Sequence, residues 1–255
     1  MKIATWNVNS LRVRLPHLLD WLSRAQPDVV GLQELKCTDE QFPRAELEAA
    51  GWQIAANGQK TYNGVAILSR HLIEHVQRDM PGFADEQKRV IAATIKGVRI
   101  VNVYVVNGQA VGSEKYAYKL RWLAALKDFL ATELAAHPLL ALMGDFNIAP
   151  TPEDTHDPAQ WEGQILCSEA ERAGLRALLA LGLQDAHATA KDRQGHFTWW
   201  DYRQAAFQRD LGLRIDHILL SQALSTAAQR WAVDTAPRKL ERPSDHAPVT
   251  TEMNL

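Results

Sequence analysis

The chain alternates between short apolar runs and longer stretches in which apolar residues recur every three or four positions. Continuous apolar runs bounded by turn signals read as strands buried on both faces. Residues 3–8, 29–35 and 139–143 are of this kind, and 52–56, 64–69, 213–220 and 231–233 read as further strands. Residues 89–96 and 98–106 form a hairpin about Gly97. The helical period predicts helices over 11–25, 43–50, 114–136 and 168–181. Asn9 or Ser10 caps the first, with Pro16 as its weak point, and Gly51 stops the second. In the third, Lys115, Lys119, Arg121 and Lys127 fall on a polar, solvated side. Ser168 and Glu171 have the spacing of a capping box on the fourth.

Strands and helices are interleaved, yet several strand pairs are joined as hairpins, so a purely parallel doubly wound sheet fits poorly. Two mixed β-sheets packed face to face with helices outside, a four-layer α/β sandwich, fit better. No repeat or linker divides the chain, and residues 1–255 are expected to form one domain. Residues 151–166, rich in turn formers, read as a long loop, and such loops in compact domains are often functional.

Composition narrows the picture only slightly. A formal charge of −2 gives no global attraction for a polyanion, so a nucleic-acid partner would have to meet a local basic patch. Two cysteines, Cys37 and Cys167, form no disulfide framework and match no metal spacing; both read as thiols of a reducing compartment. The first residues lack the apolar core of a signal peptide, and no apolar run is long enough to span a bilayer. The expectation is a cytoplasmic protein with no membrane contact.

The chemistry lies at the strand ends. Asn7, Glu34, Tyr104, Asp145, Asn147, Asp216 and the pair Asp245–His246 each follow or interrupt an apolar run. Each is thereby tied to a rigid scaffold, and repeated placement at strand ends points to one shared cleft. A carboxylate after a run such as VVGLQ is costly to bury unless it is paired or binds a cation. Oxygen ligands dominate the set, with one histidine and no thiolate, which favours Mg²⁺ or Mn²⁺ over zinc or copper. Such a set suits metal-assisted phosphoester hydrolysis. Plain structural roles stand beside this: Asp216 as a salt-bridge partner of Arg214 or Arg242, Tyr104 as a core aromatic, Asp145 and Asn147 as turn formers. The polar turn NGQKTYN, with Lys60 and Tyr62, is either a phosphate-contacting loop or a solvated hairpin loop.

With these residues in place, the sequence closely resembles the exonuclease III family of DNA-repair nucleases. That family lies within the wider endonuclease/exonuclease/phosphatase fold shared with deoxyribonuclease I. The matching pieces are WNVNSLR at 6–12, PDVVGLQELK at 27–36, GQKTYNGVAILS at 58–69 and NVYVVNG at 102–108. They continue with GDFNIAP at 144–150, FTWWDYR at 197–203, GLRIDHILLS at 212–221 and RPSDHAPV at 242–249.

The resemblance implies Glu34 as the principal metal ligand, with Asn7 close behind. Asp145 would activate or position water, Asn147 would hold water and phosphate, and Asp245 would support the metal or the histidine. His246, oriented by Asp216, would neutralise the scissile phosphate, or ligate the metal together with Asn7, Asp145, Asn147 and Asp245. Tyr104 would donate toward phosphate, and Asn107 would contact it. Trp199 and Trp200 resemble the wall that receives an extruded abasic sugar, and Asn9, Arg12, Lys60, Tyr62 and Leu213 are carried over as DNA-facing or pocket positions. Two departures stand out: Val106 where the family commonly has proline, and residues 151–166, which match no pattern. Leu166 and its neighbours are therefore expected to affect which lesion is accepted.

The implied activity is that of a Mg²⁺-dependent (alternatively Mn²⁺-dependent) DNA phosphodiesterase of base-excision repair, working as a monomer. It would cleave 5′ to abasic sites, or remove 3′-blocking groups and 3′ nucleotides, on duplex DNA with abasic sites, nicks or blocked 3′ ends. The rivals are a 3′-end processor with little incision activity, a phosphatase of the same fold acting on an inositol or lipid phosphate, and a non-catalytic DNA-binding module.

Overall fold

The computed structural model describes residues 1–255. Its first four strands are β1 (Lys2–Asn7), β2 (Val29–Gln33), β3 (Gln53–Asn57) and β4 (Val65–Ser69). Next come β5 (Glu74–Arg78), β6 (Val90–Ile95), β7 (Val98–Tyr104) and β8 (Leu140–Asp145). The short β9 (Leu183–Asp185), β10 (Asp192–Gln194), β11 (Trp199–Trp200) and β12 (Gly212–Leu213) follow, and β13 (Asp216–Ser221), β14 (Ala228–Val233) and β15 (Val249–Met253) complete the set. One sheet has the order β10-β14-β15-β1-β2-β4-β3 and the other β5-β6-β7-β8-β13-β9, while β11 and β12 pair by themselves. Both large sheets are mixed: β1 is parallel to β2 and antiparallel to β15, and β8 is parallel to β7 and antiparallel to β13.

Period-two alternation builds the layers. Ile3, Val29, Ile67, Ile100, Met143, Ile218 and Val249 meet between the sheets. Ala4, Trp6 and Leu32 point the other way, under α1 (Leu11–Ala25) and α2 (Arg44–Ala49), where Trp21 and Leu47 cover them. On the far side, Val101 and Leu142 pack under Trp122 and Leu126 of α3 (Glu114–Ala136). A further short helix, α4 (Pro158–Trp161), lies within the 151–166 stretch, and α5 (Glu169–Leu179) packs beside α3 through Leu175. The result is the expected α/β/β/α sandwich, of the deoxyribonuclease I type.

The inner layer is not apolar throughout. Asn102 of β7 donates across the gap to the carbonyls of Leu32 and Ala66, both at 2.9 Å. Gln33 Nε2 closes the seam by donating to Asn102 Oδ1 (2.6 Å) and Thr5 Oγ1 (2.8 Å). Toward the same end, inward positions become Asn7, Tyr104, Asp145 and Asp216. Parallel and antiparallel register put Asn7 beside Gln33, Tyr104 beside Asp145, and Asp145 opposite Asp216. The inter-sheet core thus turns from hydrocarbon to hydrogen-bonding groups at one edge.

Three expectations change. Neither Asn9 nor Ser10 caps α1 with its side chain: both have positive φ, and the Ser10 and Leu11 amides donate instead to the Glu34 and Leu35 carbonyls. Pro16 does not break α1, although at its second-turn position the missing N–H costs the helix one bond, to the Arg12 carbonyl. Lys119 is not on a solvated side of α3 but fully buried, paired with Glu171. The edge strand β5, mostly exposed, carries no apolar run, and the two- and three-residue strands β9 to β12 are too short to show a period. The capping box on α5 forms as expected.

Gly144 sits at φ 153°, and a Cβ there would lie 1.9 Å from the Val103 carbonyl oxygen of the neighbouring strand. Gly144→Ala should therefore destabilise the protein by roughly 3 kcal/mol or more, read from urea unfolding midpoints at unchanged slope. Cys37 and Cys167 are free and buried, and burial pushes both thiols up to about 11. Iodoacetamide at pH 8 should leave both unmodified in the native protein and alkylate both in urea; rapid native labelling would contradict the burial.

Candidate active site

The polar edge between the sheets gathers residues from stretches far apart in the chain. Asn7 at the end of β1 is fully buried, and its carboxamide nitrogen donates to both Glu34 Oε1 and Asp145 Oδ2, each at 2.9 Å. The Asn7 oxygen accepts from the Asn9 amide at 2.9 Å, which fixes the orientation of the group. One side chain from the first sheet therefore holds together two carboxylates, one of them on the second sheet. Glu34 lies just beyond β2 at φ 52°, a turn that swings its carboxylate out of the strand line into the cleft. Tyr104 donates to Glu34 Oε1 (3.0 Å), and the Lys36 ammonium lies 3.0 Å from Glu34 Oε2.

Asp145 and Asp216 face each other across β8 and β13, and both are fully buried. His246 lies against both: Nδ1 is 2.8 Å from Asp216 Oδ2, and Nε2 is 3.6 Å from Asp145 Oδ2. Thr198 Oγ1 donates to Asp216 Oδ2 (2.6 Å), so Asp216 is held from two sides. Burial alone would discharge the imidazole, but Asp216 and Asp145 outweigh it and raise His246 to about 10. Burial also raises Asp145, to about 7, against the lowering effect of His246. Burial and then the Glu34 and Asp145 carboxylates raise the Tyr104 phenol well above its ordinary value, so it remains a donor. Near neutrality the site holds a charged imidazole, an uncharged phenol, and a carboxylate poised to take up a proton.

The remaining expected residues divide into those that join this cluster and those that do not. Asp245 is held by Asn9 Nδ2 (3.0 Å) and Trp199 Nε1 (3.0 Å), which brings all three to the cleft rim. Asn107 donates to Asn147 Oδ1 (3.0 Å), and Asn147 Nδ2 donates to the Val105 carbonyl. The Asn147 side chain is thus consumed locally, and it is its backbone amide that serves the site, donating to Asp145 Oδ1 at 2.9 Å. Asn7 presents nitrogen to Glu34, and both nitrogens of His246 face carboxylates. These three side chains organise the neighbouring carboxylates and loops through their hydrogen bonds.

Lys60 and Tyr62 project into solvent from their loop. Arg12 lies on the exposed face of α1, beside Gln41 and Phe42, away from the cluster. Trp200 and Leu213 are buried rather than open walls: Trp200 donates to Asp210 and packs edge-on against Phe207. Only Trp199 of that group stays half-exposed at the rim.

Sequence reading missed Thr198, Ser244, Lys36 and Arg89. Ser244 Oγ donates to the Asn7 carbonyl and accepts from the His246 amide, clipping the last loop to β1. The Arg89 guanidinium lies 4.6 Å from the Tyr104 ring centre and donates to the Tyr104 carbonyl. Thr198, Ser244 and Lys36 lie inside the motifs FTWWDYR, RPSDHAPV and PDVVGLQELK. Only their side-chain partners, distant in sequence, reveal the roles.

The donors fit a hard divalent ion. Glu34 is a partly open carboxylate whose second oxygen already faces a cation, the Lys36 ammonium, and Asp145 lies across the same Asn7 amide. Asp145, Asp216 and His246 also stand close enough to form an acidic–histidine cluster.

Known proteins agree with this geometry. The model of the endonuclease/exonuclease/phosphatase family matches residues 4–246, and the chain belongs to that family. Exodeoxyribonuclease III of Haemophilus influenzae is 36% identical, with 99% of each chain covered. Among solved structures, a 3′–5′ exonuclease from Neisseria meningitidis superposes with a TM-score of 0.97 at 51% identity. A Neisseria 3′ phosphatase bound to a product DNA hairpin gives 0.97 at 50%, and an AP endonuclease from Archaeoglobus fulgidus 0.94 at 34%. All three structures are matched over 100% of both chains. The chain is a nuclease of the exonuclease III type, a hydrolase of DNA repair, which sets aside the lipid-phosphatase and non-catalytic readings.

Asp216→Asn should leave the fold intact but lower turnover on DNA by roughly 10- to 100-fold, because the imidazole loses its orienting charge. Steady-state kinetics beside circular dichroism checks this; unchanged turnover would show that Asp216 is not what sets His246.

Proposed function

We propose that the protein is a Mg²⁺-dependent enzyme that works chiefly at 3′ ends in duplex DNA, removing 3′-blocking phosphates and 3′ nucleotides, with incision at abasic sites secondary. One observation carries the preference. An extruded abasic sugar needs an apolar recess beside the attacked phosphate. Here Leu166 packs with Ala149, Leu213 and Ile215, all 5% exposed or less, and the cavity that opens against Trp161 and Trp199 is lined mainly by polar side chains rather than apolar ones. A terminal 3′ phosphate needs no such recess. The Neisseria relatives, a 3′–5′ exonuclease and a 3′ phosphatase at 51% and 50% identity, support the same choice.

Water attacks phosphorus, the bond from phosphorus to the leaving 3′ oxygen breaks, and that oxygen takes a proton from solvent to leave as a 3′ hydroxyl. Asp145, fixed by the Asn7 side chain and the Asn147 amide, accepts the water proton. The His246 imidazolium, held between Asp216 and Asp145, would offset the charge growing on the phosphate oxygens, and the Tyr104 phenol, which donates to Glu34 in the free protein, would turn its donor to them. A bound Mg²⁺, held by Glu34 with Asp145 in reach, would supply further charge neutralisation for phosphate and leaving oxygen; Mn²⁺ fits the same oxygen donors. Exposed Lys60 and Tyr62 suit contact with the DNA backbone. The proposal extends to a monomer in the cytoplasm, supported by a site drawn wholly from one chain and by two free thiols.

The test uses two labelled duplexes, one with a central abasic-site analogue and one with a 3′ phosphate at a nick. Removal of the 3′ phosphate should exceed abasic incision, and both should disappear with EDTA and fall by at least about 10³-fold in Glu34→Ala or Asp145→Ala. Leu166→Ala should raise incision relative to phosphate removal. Faster incision than end processing by the unaltered protein would overturn the preference, and Mg²⁺-independent turnover would overturn the metal.

A further inference from the structure

Lys119 is the one lysine in the fully buried core, and the reaction outlined above does not use it. Its Nζ donates to the carbonyl of Asn107 (3.1 Å), to that of Asn147 (2.7 Å), and to Glu171 Oε1. The three ammonium protons thus have three acceptors. Glu171, equally buried, accepts at the same Oε1 from the Leu166 amide (3.0 Å), and at Oε2 from the Ser168 amide (3.0 Å) and Ser168 Oγ (2.6 Å). Tyr116, one turn before Lys119, bonds the same Ser168 hydroxyl at 2.6 Å. The pair therefore grips three loops: the one after β7, the one after β8, and the one leading into α5.

What those loops carry gives the pair its significance. Asn147 stands at φ 51°, left-handed backbone that a non-glycine residue holds only when its surroundings enforce it. In that conformation its amide points at Asp145 Oδ1. Leu166 stands at φ 71° and fills the apolar wall beside the site. Lys119 holds the carbonyl of the first, and Glu171 holds the amide of the second.

We propose that Lys119 and Glu171 act as a positioning pair, fixing the Asn147 turn that aims Asp145 and locking Leu166 in the wall that decides which DNA end is accepted. This rests on the reading of the site as a DNA 3′-end hydrolase. A stabilising role alone would make a different forecast. Buried ion pairs can often be exchanged for packed apolar residues with little loss of stability, whereas removing one partner strands a buried charge. Methionines at both positions would restore packing but offer nothing to the Asn107 and Asn147 carbonyls or the Leu166 amide.

The variants Lys119→Met, Glu171→Met and the double replacement would be compared with the unaltered protein for melting temperature, kcat and KM on the nicked 3′-phosphate duplex, and the ratio of end processing to abasic incision. The single variants should melt earlier than the double. The double should keep KM within about threefold yet lose kcat by roughly 10- to 100-fold, with the ratio shifted toward incision. A double variant that folds and keeps full kcat and the original ratio would overturn the proposal. Should the double variant fail to fold, Lys119→Gln, which keeps one donor group for the carbonyls, decides instead: a kcat as low as that of Lys119→Met would overturn the pair's positioning role, and partial rescue would support it. Absence of turnover in the unaltered protein would instead refute the 3′-end reading, a result distinguishable from either.

Discussion

Two carboxylates buried opposite each other on adjacent strands are the constraint around which this molecule is built. Asp145 and Asp216 share a rung of the β8–β13 ladder, where like charges repel and water is absent to screen them. A single imidazole resolves the conflict by keeping its proton and facing both. The strand register that creates the repulsion also fixes the place of the histidine, so the charge state of the site follows from backbone pairing. Thr198 and the Asn7 amide donate to the same two oxygens that the imidazole faces, Asp216 Oδ2 and Asp145 Oδ2.

The same end of the sandwich shows how a protein opens a polar cleft in its own core without separate machinery. Each contributing strand keeps its period-two alternation to the last residue, and only the chemistry of the inward position changes. Ile3 gives way to Thr5 and Asn7, Ile100 to Asn102 and Tyr104, and Met143 to Asp145. Buried amides bridge the sheets before the charged groups begin, so desolvated polar atoms are paired along the way. Rigid hydrogen-bonded strands underneath make the donors preorganised rather than recruited, which is where electrostatic catalysis derives its strength.

Specificity is built differently from catalysis. The clustered polar groups stand on strand ends, whereas Asn107, Asn147 and Leu166 stand on loops after β7 and β8 and before α5. Those loops contain strained, left-handed residues, Asn147 and Leu166, tied back to buried polar groups on helices. Loops of this kind can vary in sequence while the strand-end chemistry stays the same.

The sequence by itself determined the strands with continuous apolar runs, the long helices, the capping box at Ser168, and the concentration of Glu34, Tyr104, Asp145, Asp216 and His246 at strand ends. Local period and residue chemistry suffice for these, because burial on both faces demands hydrocarbon and the exceptions stand out. Only the tertiary structure decided what each polar atom meets. Lys119 reads as a surface charge on a helical wheel, and becomes a core residue because Glu171 arrives from another helix. Trp200 and Leu213 read as pocket walls, and become packing because Phe207 and Leu166 fill the space. Asn7 turns its nitrogen to Glu34 and Asp145 because the Asn9 amide bonds its oxygen. Each of these outcomes depends on partners distant in sequence, whose positions come from sheet register and loop closure rather than from any local pattern.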